Sequence, residues 1–130
     1  MTASDTARRR LAAAVVQAAE AVSDKLSEHP VRGTEPYPIG AVLPTLAEQH
    51  RALLAAVAVI DEPLAVDATG KQDPLTGDLA AFMSYLQLLV VLYHGLTEIP
   101  KPMQVNASRN ISAVRLAAGK VRDHARRAAG

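Results

Sequence analysis

The chain contains no cysteine and no tryptophan, and it has only four aromatic residues. Without cysteine, it has no disulfide scaffold, no cysteine nucleophile and no thiolate metal site. The seven glycines are scattered and form no phosphate-binding loop. The G-x-S-x-G, His-Glu-x-x-His and Glu-x-x-His patterns are also absent. We therefore expect no catalytic residues, no cofactor and no bound metal.

The chain is long and apolar enough to build one hydrophobic core. It has 130 residues, of which 49% are hydrophobic and 21% charged, as expected for a single domain over 1–130. Alanine and leucine are abundant, and both favour helix. The excess of arginine over lysine is typical of GC-rich bacterial genomes. The first residues lack the apolar stretch of a signal peptide, so we expect a cytoplasmic protein.

Four segments have apolar residues at intervals of three and four, the spacing of amphipathic helices. They cover approximately 4–28, 41–60, 75–97 and 106–128, with proline- and glycine-containing stretches between them. No segment alternates with the two-residue period of a strand. The sequence therefore predicts an all-α protein, an antiparallel four-helix bundle with up-down-up-down topology.

Each segment has a predicted core stripe. The stripes are Leu11, Val15, Ala18, Val22 and Leu26 in the first; Leu43, Leu46, His50, Leu53, Val57 and Ile60 in the second; Leu75, Leu79, Phe82, Leu86, Leu89, Tyr93 and Leu96 in the third; and Ile111, Val114, Ala118, Val121, Ala125 and Ala128 in the fourth.

The third segment is apolar on all sides, and residues 79–97 carry no formal charge. This length would suit a membrane span. However, Ser84, Gln87 and His94 interrupt it, and acidic Asp78 and Glu98 flank it without a basic residue to set an orientation. We therefore expect a bundle helix and no membrane partner.

One bundle covers only part of such a helix. The predicted uncovered residues are Tyr85, Leu88, Val91 and Leu92. A symmetric dimer is the commonest cover for a face of this kind, so we expect a homodimer.

Basic residues are concentrated at the two ends of the chain, which have a net charge of +2 over 1–10 and +5 over 109–130. An up-down-up-down bundle brings these ends to one pole. The arginines of this predicted pole are Arg8, Arg9, Arg10, Arg122, Arg126 and Arg127. The acidic residues predicted to neutralise it are Asp61, Glu62, Asp73 and Asp78. The alternative is an anionic partner such as nucleic acid, held by phosphate contacts because no aromatic residue lies nearby.

The histidines offer two further hypotheses. His50 occupies an apolar stripe, where it would bond to Tyr93, Tyr85 or Gln87 in the core. Alternatively, it would line a ligand cavity with Phe82, Tyr85 and Tyr93. His94 and Glu98 are four residues apart and would share one helix face, but no metal motif accompanies them.

The sequence thus favours a small non-enzymatic helical bundle that acts through protein–protein interaction or self-association. The alternatives are an accessory nucleic-acid-binding protein that uses the arginine pole and a small-molecule binder with a cavity in the bundle core.

Overall fold

The computed structural model describes residues 3–32, 35–58 and 74–129. These residues form four α-helices: α1 (Ala3–Glu28), α2 (Ile39–Ala58), α3 (Pro74–Leu92) and α4 (Gln104–Ala129). A short 3₁₀ helix, Lys101–Met103, directly precedes α4. The predicted all-α fold is confirmed. Ile60, Asp61, Glu62 and Asp73, which carried sequence predictions, lie outside the described residues.

Each helix packs against two others: α1 against α2 and α4, and α3 against α2 and α4. Two contacts show that α3 and α4 run in opposite directions. Asp78 at the start of α3 meets His124 near the end of α4, and Tyr93 just after α3 meets Asn110 near the start of α4. The four helices therefore surround one core, and helices that follow one another in the chain lie side by side.

The core consists almost entirely of aliphatic residues. The predicted stripes of α1, α3 and α4 are buried as expected, except that Leu96 is 40% exposed and Ala128 half-buried. In α2 the buried residues are Ile39, Val42, Leu46 and Leu53. The predicted stripe of α2 is therefore partly wrong: Val57 is 38% exposed, and Leu43 and His50 are only half-buried.

Helix α2 begins two residues before the predicted start at Ala41 because neighbouring carbonyl groups accept its first N–H groups. The Gly40 N–H donates to the Thr97 carbonyl at 2.9 Å, and the Ala41 N–H donates to the Pro38 carbonyl at 3.0 Å. A Cβ atom on Gly40 would lie 3.0 Å from the Thr97 Cα, so only glycine fits this approach without a shift. The earlier start places Pro44 in the second turn instead of the first.

Helix α3 ends at Leu92, five residues before the predicted end at Thr97. The chain then turns through Gly95, whose φ of 80° lies in the left-handed region that glycine tolerates best. Residues 96–100 leave the helix axis, which explains why Leu96 does not join the core stripe.

The α1–α2 and α3–α4 connections are tied together at one end of the bundle. The Tyr37 and Ile99 backbones exchange hydrogen bonds, with the Tyr37 N–H to the Ile99 carbonyl at 3.1 Å and the Ile99 N–H to the Tyr37 carbonyl at 2.8 Å. The buried Tyr37 hydroxyl donates to the His29 carbonyl at 2.8 Å. The Gln104 side-chain amide donates to the Glu35 carbonyl. These bonds fix the start of α2 against the segment that leads into α4.

Candidate functional site

The outer side of α3 presents large apolar residues to solvent. The exposed fractions are 39% for Tyr85, 41% for Leu88, 66% for Val91 and 52% for Leu92. The structure therefore leaves uncovered all four residues that the sequence assigned to a dimer surface. At 100° per residue, Tyr85 and Leu92 lie on the side of α3 toward α4, whereas Leu88 and Val91 point outward.

A shallow groove runs between α3 and α4 on this side. The part toward the start of α3 has a volume of about 160 Å³, and its lining residues are Asp78, Ala81, Tyr85, Ala113, Leu116, Ala117 and Lys120. The floor is formed by alanines, while Tyr85 and the 68% exposed Leu116 rise on either side. We refer to these residues, with Leu92, as the α3/α4 groove.

A second depression continues the groove toward the start of α4. It has a volume of about 430 Å³ and is lined by Leu92, Tyr93, Met103, Asn106, Arg109 and Asn110. The Asn110 Nδ2 donates to the Tyr93 hydroxyl at 3.4 Å. The apolar surface therefore ends in a polar region at this end.

The two ends of the groove carry different charges. At one end, the Asp78 carboxylate contacts the Nδ1 of His124, and both side chains are partly exposed. At the other end, Arg109 is exposed, and its guanidinium makes no ion pair with another described residue. Between these ends, only Lys120 contributes a formal charge to the lining.

The four residues of the predicted ligand cavity lie at different depths. Phe82 is fully buried in the core, and His50 is half-buried on α2 without a hydrogen bond to another described side chain. Tyr85 and Tyr93 line the two separate depressions of the groove. The predicted bonding of His50 to Tyr93, Tyr85 or Gln87 does not occur, and Tyr93 bonds to Asn110 instead.

Three arginines of the predicted pole contact other described residues, whereas Asp61, Glu62 and Asp73, predicted to neutralise the pole, lie outside the described residues. Arg126 pairs with Glu20 of α1 at 2.5 Å. The Arg122 Nε lies 3.5 Å from the Asp123 carboxylate, and the Arg127 Nε donates to the Asp123 carbonyl. Asp78, predicted as a neutralising partner, contacts His124 instead.

The other arginines of the pole lie on the first turns of α1. Arg9 and Arg10 are exposed, and Arg8 is half-buried. The Arg126–Glu20 pair places the last turn of α4 beside the second half of α1, ten residues along the helix from Arg10.

His94 and Glu98 do not share a helix face. α3 ends before both residues, and the turn at Gly95 separates them. Among the residues that the structure describes, no group of three or more His, Asp or Glu side chains is arranged to hold a metal ion.

Sequence reasoning missed the contribution of α4 to the groove. Away from its core stripe, the sequence of α4 predicts a polar, arginine-rich face, yet Ala113, Leu116 and Ala117 lie there beside α3. The signal was Leu116, a large apolar residue three positions after Ala113 on an otherwise polar face.

One described helix, Leu75–Leu92, is long and apolar enough to cross a membrane, and 28% of it is buried in the bundle. The buried side includes Phe82, Leu86 and Leu89, which pack in the core. The chain matches no protein-family model, and it has no significant similarity to a curated protein or to a solved structure.

Proposed function

We propose that this protein is a non-enzymatic helical bundle that functions by self-association, with the α3/α4 groove as its contact surface. The observation that carries the proposal is the exposure of Tyr85 on α3 beside Leu116 on α4, with Leu92 exposed further along α3. Isolated exposed apolar residues are normal, whereas a continuous apolar strip between polar ends is typical of a contact surface.

The energetic reason is the burial of apolar area. Removing apolar surface from water contributes roughly 25 cal/mol per Å², and aromatic and leucine side chains supply much of this area at contact surfaces. The alanine floor lets a second copy approach closely, because small side chains leave room for facing side chains. Tyr85 and Leu116 project above this floor and supply the large apolar side chains.

The occupant that fits best is a second copy of the chain. A two-fold dimer places the same surface on both sides, so the surface must complement itself. The groove is apolar in the middle, and an acidic residue at one end corresponds to a basic residue at the other. The apolar middle, where Tyr85 faces Leu116, complements itself, so a second copy can cover it.

Sedimentation equilibrium over about 1–100 µM protein tests the proposal, since a specific dimer of this size is expected to form in the micromolar range. We expect a dimer for the wild type and a monomer for Leu116→Glu, which places a charge in the lining of the groove. The control is Leu54→Glu on α2, where the side chain is 50% exposed but outside the groove. It should remain dimeric. A wild-type monomer over the whole range, or equal weakening by both variants, would overturn the proposal.

A further inference from the structure

The second depression, between the end of α3 and the start of α4, combines apolar and polar side chains. Leu92 and Met103 supply the apolar part, and they are 52% and 50% exposed. The polar part consists of Tyr93, Asn106, Arg109 and Asn110. The volume of about 430 Å³ is within the range of small-molecule sites, roughly 300–1,000 Å³. The depression therefore has room for a ligand with an apolar portion and a polar group.

The polar side chains converge on the depression from two elements. Asn106, Arg109 and Asn110 follow one another at intervals of three and one residues, so they lie on one side of α4. The Asn110 Nδ2 donates to the Tyr93 hydroxyl at 3.4 Å, which places the residue after α3 opposite this side. Asn106 and Asn110 are the only asparagines in the chain, and both line this depression.

The hydrogen-bonding groups that remain free here are chiefly donors. The Arg109 guanidinium carries only donors, and it has no partner among the described residues. Tyr93 is only 5% exposed; its hydroxyl accepts from Asn110, but its own proton has no acceptor among the residues that the structure describes. The Asn106 amide offers a donor and an acceptor equally. A ligand that brings acceptor oxygens would satisfy these donors.

The charge of the lining favours an anion. Arg109 is the only formally charged residue in the lining. The acidic residue closest to it in sequence, Glu98, is not part of the lining. Lys120, about 16 Å further along α4, lines the neighbouring part of the groove and has the same sign. No carboxylate of the lining therefore competes with an anionic ligand for the guanidinium.

The single charge and the shape of the guanidinium favour a carboxylate over a phosphate ester. A carboxylate carries one negative charge and accepts two parallel hydrogen bonds from the planar guanidinium. A phosphate monoester carries nearly two negative charges, about 1.5–2 at neutral pH, and the lining offers one positive charge to match them. Leu92 and Met103 beside this group favour a ligand whose remaining part is apolar.

We infer that the second depression binds an amphiphilic monocarboxylate. The carboxylate accepts hydrogen bonds from the Arg109 guanidinium and the Tyr93 hydroxyl, and the apolar chain lies against Leu92 and Met103. This inference does not rest on the proposed self-association, which uses the facing Tyr85 and Leu116 side chains. Leu92 is the one residue that belongs to both surfaces.

Isothermal titration with octanoate tests the ligand class. We expect one octanoate per chain. Octylammonium has the same apolar chain with the opposite charge, whereas acetate and inorganic phosphate are anions without the chain. Each of these three probes should bind about tenfold more weakly or worse. Equal affinity for octylammonium would indicate adsorption to apolar surface and overturn the inference. Equal affinity for acetate or phosphate would show a site without an apolar part and would also overturn it.

Two substitutions test the assigned residues. Arg109→Gln should raise the dissociation constant for octanoate about tenfold, because it removes the charge and the paired donors. Tyr93→Phe removes one hydroxyl and should raise the constant about threefold. The matched control is Arg51→Gln at an exposed position of α2, which should bind octanoate as the wild type does. Equal constants for Arg109→Gln and Arg51→Gln would contradict the inference, and an unchanged constant for Tyr93→Phe would contradict the role of its hydroxyl.

Selective labelling of asparagine locates the ligand directly. Because Asn106 and Asn110 are the only asparagines, ¹⁵N-asparagine labelling gives side-chain amide signals from this depression alone. Octanoate should shift both pairs of signals with the dissociation constant found by calorimetry. The Leu116→Glu chain should bind octanoate as the wild type does, so loss of self-association and loss of this site are separate results. Calorimetric binding without a shift of either asparagine would place octanoate elsewhere and overturn the site.

Discussion

The Nδ1 of His124 contacts the Asp78 carboxylate and thereby joins the end of α4 to the start of α3. The two side chains are 32% and 26% exposed, so solvent weakens the interaction but does not abolish it. We expect Asp78→Asn and His124→Phe each to lower the free energy of unfolding by about 0.3–1 kcal/mol.

A double-mutant cycle of these two substitutions, followed by urea unfolding of dilute protein, isolates the interaction. The effects of the single substitutions should not add, because either one removes the same contact. Asp24→Asn, at an exposed position of α1, serves as the control and should leave stability unchanged. Fully additive effects would show that the pair does not stabilise the α3–α4 contact.

Substitution by alanine should lower the free energy of unfolding at Gly95 and raise it at Gly119. At Gly95 the φ of 80° strains any L side chain, so Gly95→Ala should cost about 1 kcal/mol of stability. Gly119 lies within α4, and a Cβ atom placed there would have no neighbour within 4 Å, so Gly119→Ala should gain about 0.5–1 kcal/mol. Thermal and urea unfolding of both variants measure these changes. Stabilisation by Gly95→Ala would contradict the turn that ends α3.

Tyr37 should make stability sensitive to alkaline pH. Burial raises the pKa of its phenol above 10.0, and the positive charge of Arg115 lowers it by a smaller amount. Above pH 10.0 the unfolded chain loses this proton while the folded chain retains it, so stability falls as the pH rises. Below pH 10.0 the contribution is fully present.

The Tyr37→Phe variant separates the contribution of the hydroxyl's hydrogen bond from the effect of its proton loss at alkaline pH. At about pH 8 the variant should be less stable than the wild type by about 1 kcal/mol, because it loses the hydrogen bond to the His29 carbonyl. Near pH 11 the difference in the free energy of unfolding between the wild type and Tyr37→Phe should be smaller, because only the wild type loses stability as the pH rises. Urea unfolding at both pH values measures it, and Tyr85→Phe on the exposed face of α3 should match the wild type at about pH 8. A difference that widens with pH would contradict the assigned direction.

The arginine pole should bind duplex DNA poorly. Arg126 is paired with Glu20, and the Arg122 Nε lies near the Asp123 carboxylate, so part of the positive charge is already neutralised. We expect no band shift in a gel titration at low ionic strength. A shift that disappears with added salt and with combined Arg122→Ala, Arg126→Ala and Arg127→Ala would instead support a nucleic-acid partner through phosphate contacts.

The sequence by itself determined the fold class and most of the core. In α1, α3 and α4 the apolar residues recur at helical spacing. This spacing is nearly sufficient to identify each helix and the side that it buries. The same reasoning identified Tyr85, Leu88, Val91 and Leu92 as residues that one bundle leaves uncovered. Both conclusions depend on local periodicity, which the chain carries in its residue order.

The helix boundaries and the groove were decided by tertiary structure. The start of α2 depends on the Thr97 carbonyl, which accepts from Gly40, a residue far away in sequence. The end of α3 depends on a left-handed turn at Gly95, which no apolar spacing reveals. The groove depends on the register of α3 against α4, because only packing brings Asp78 level with His124 and places Leu116 beside Tyr85. Periodicity defines the faces of each helix, whereas the relative positions of two faces follow from long-range contacts.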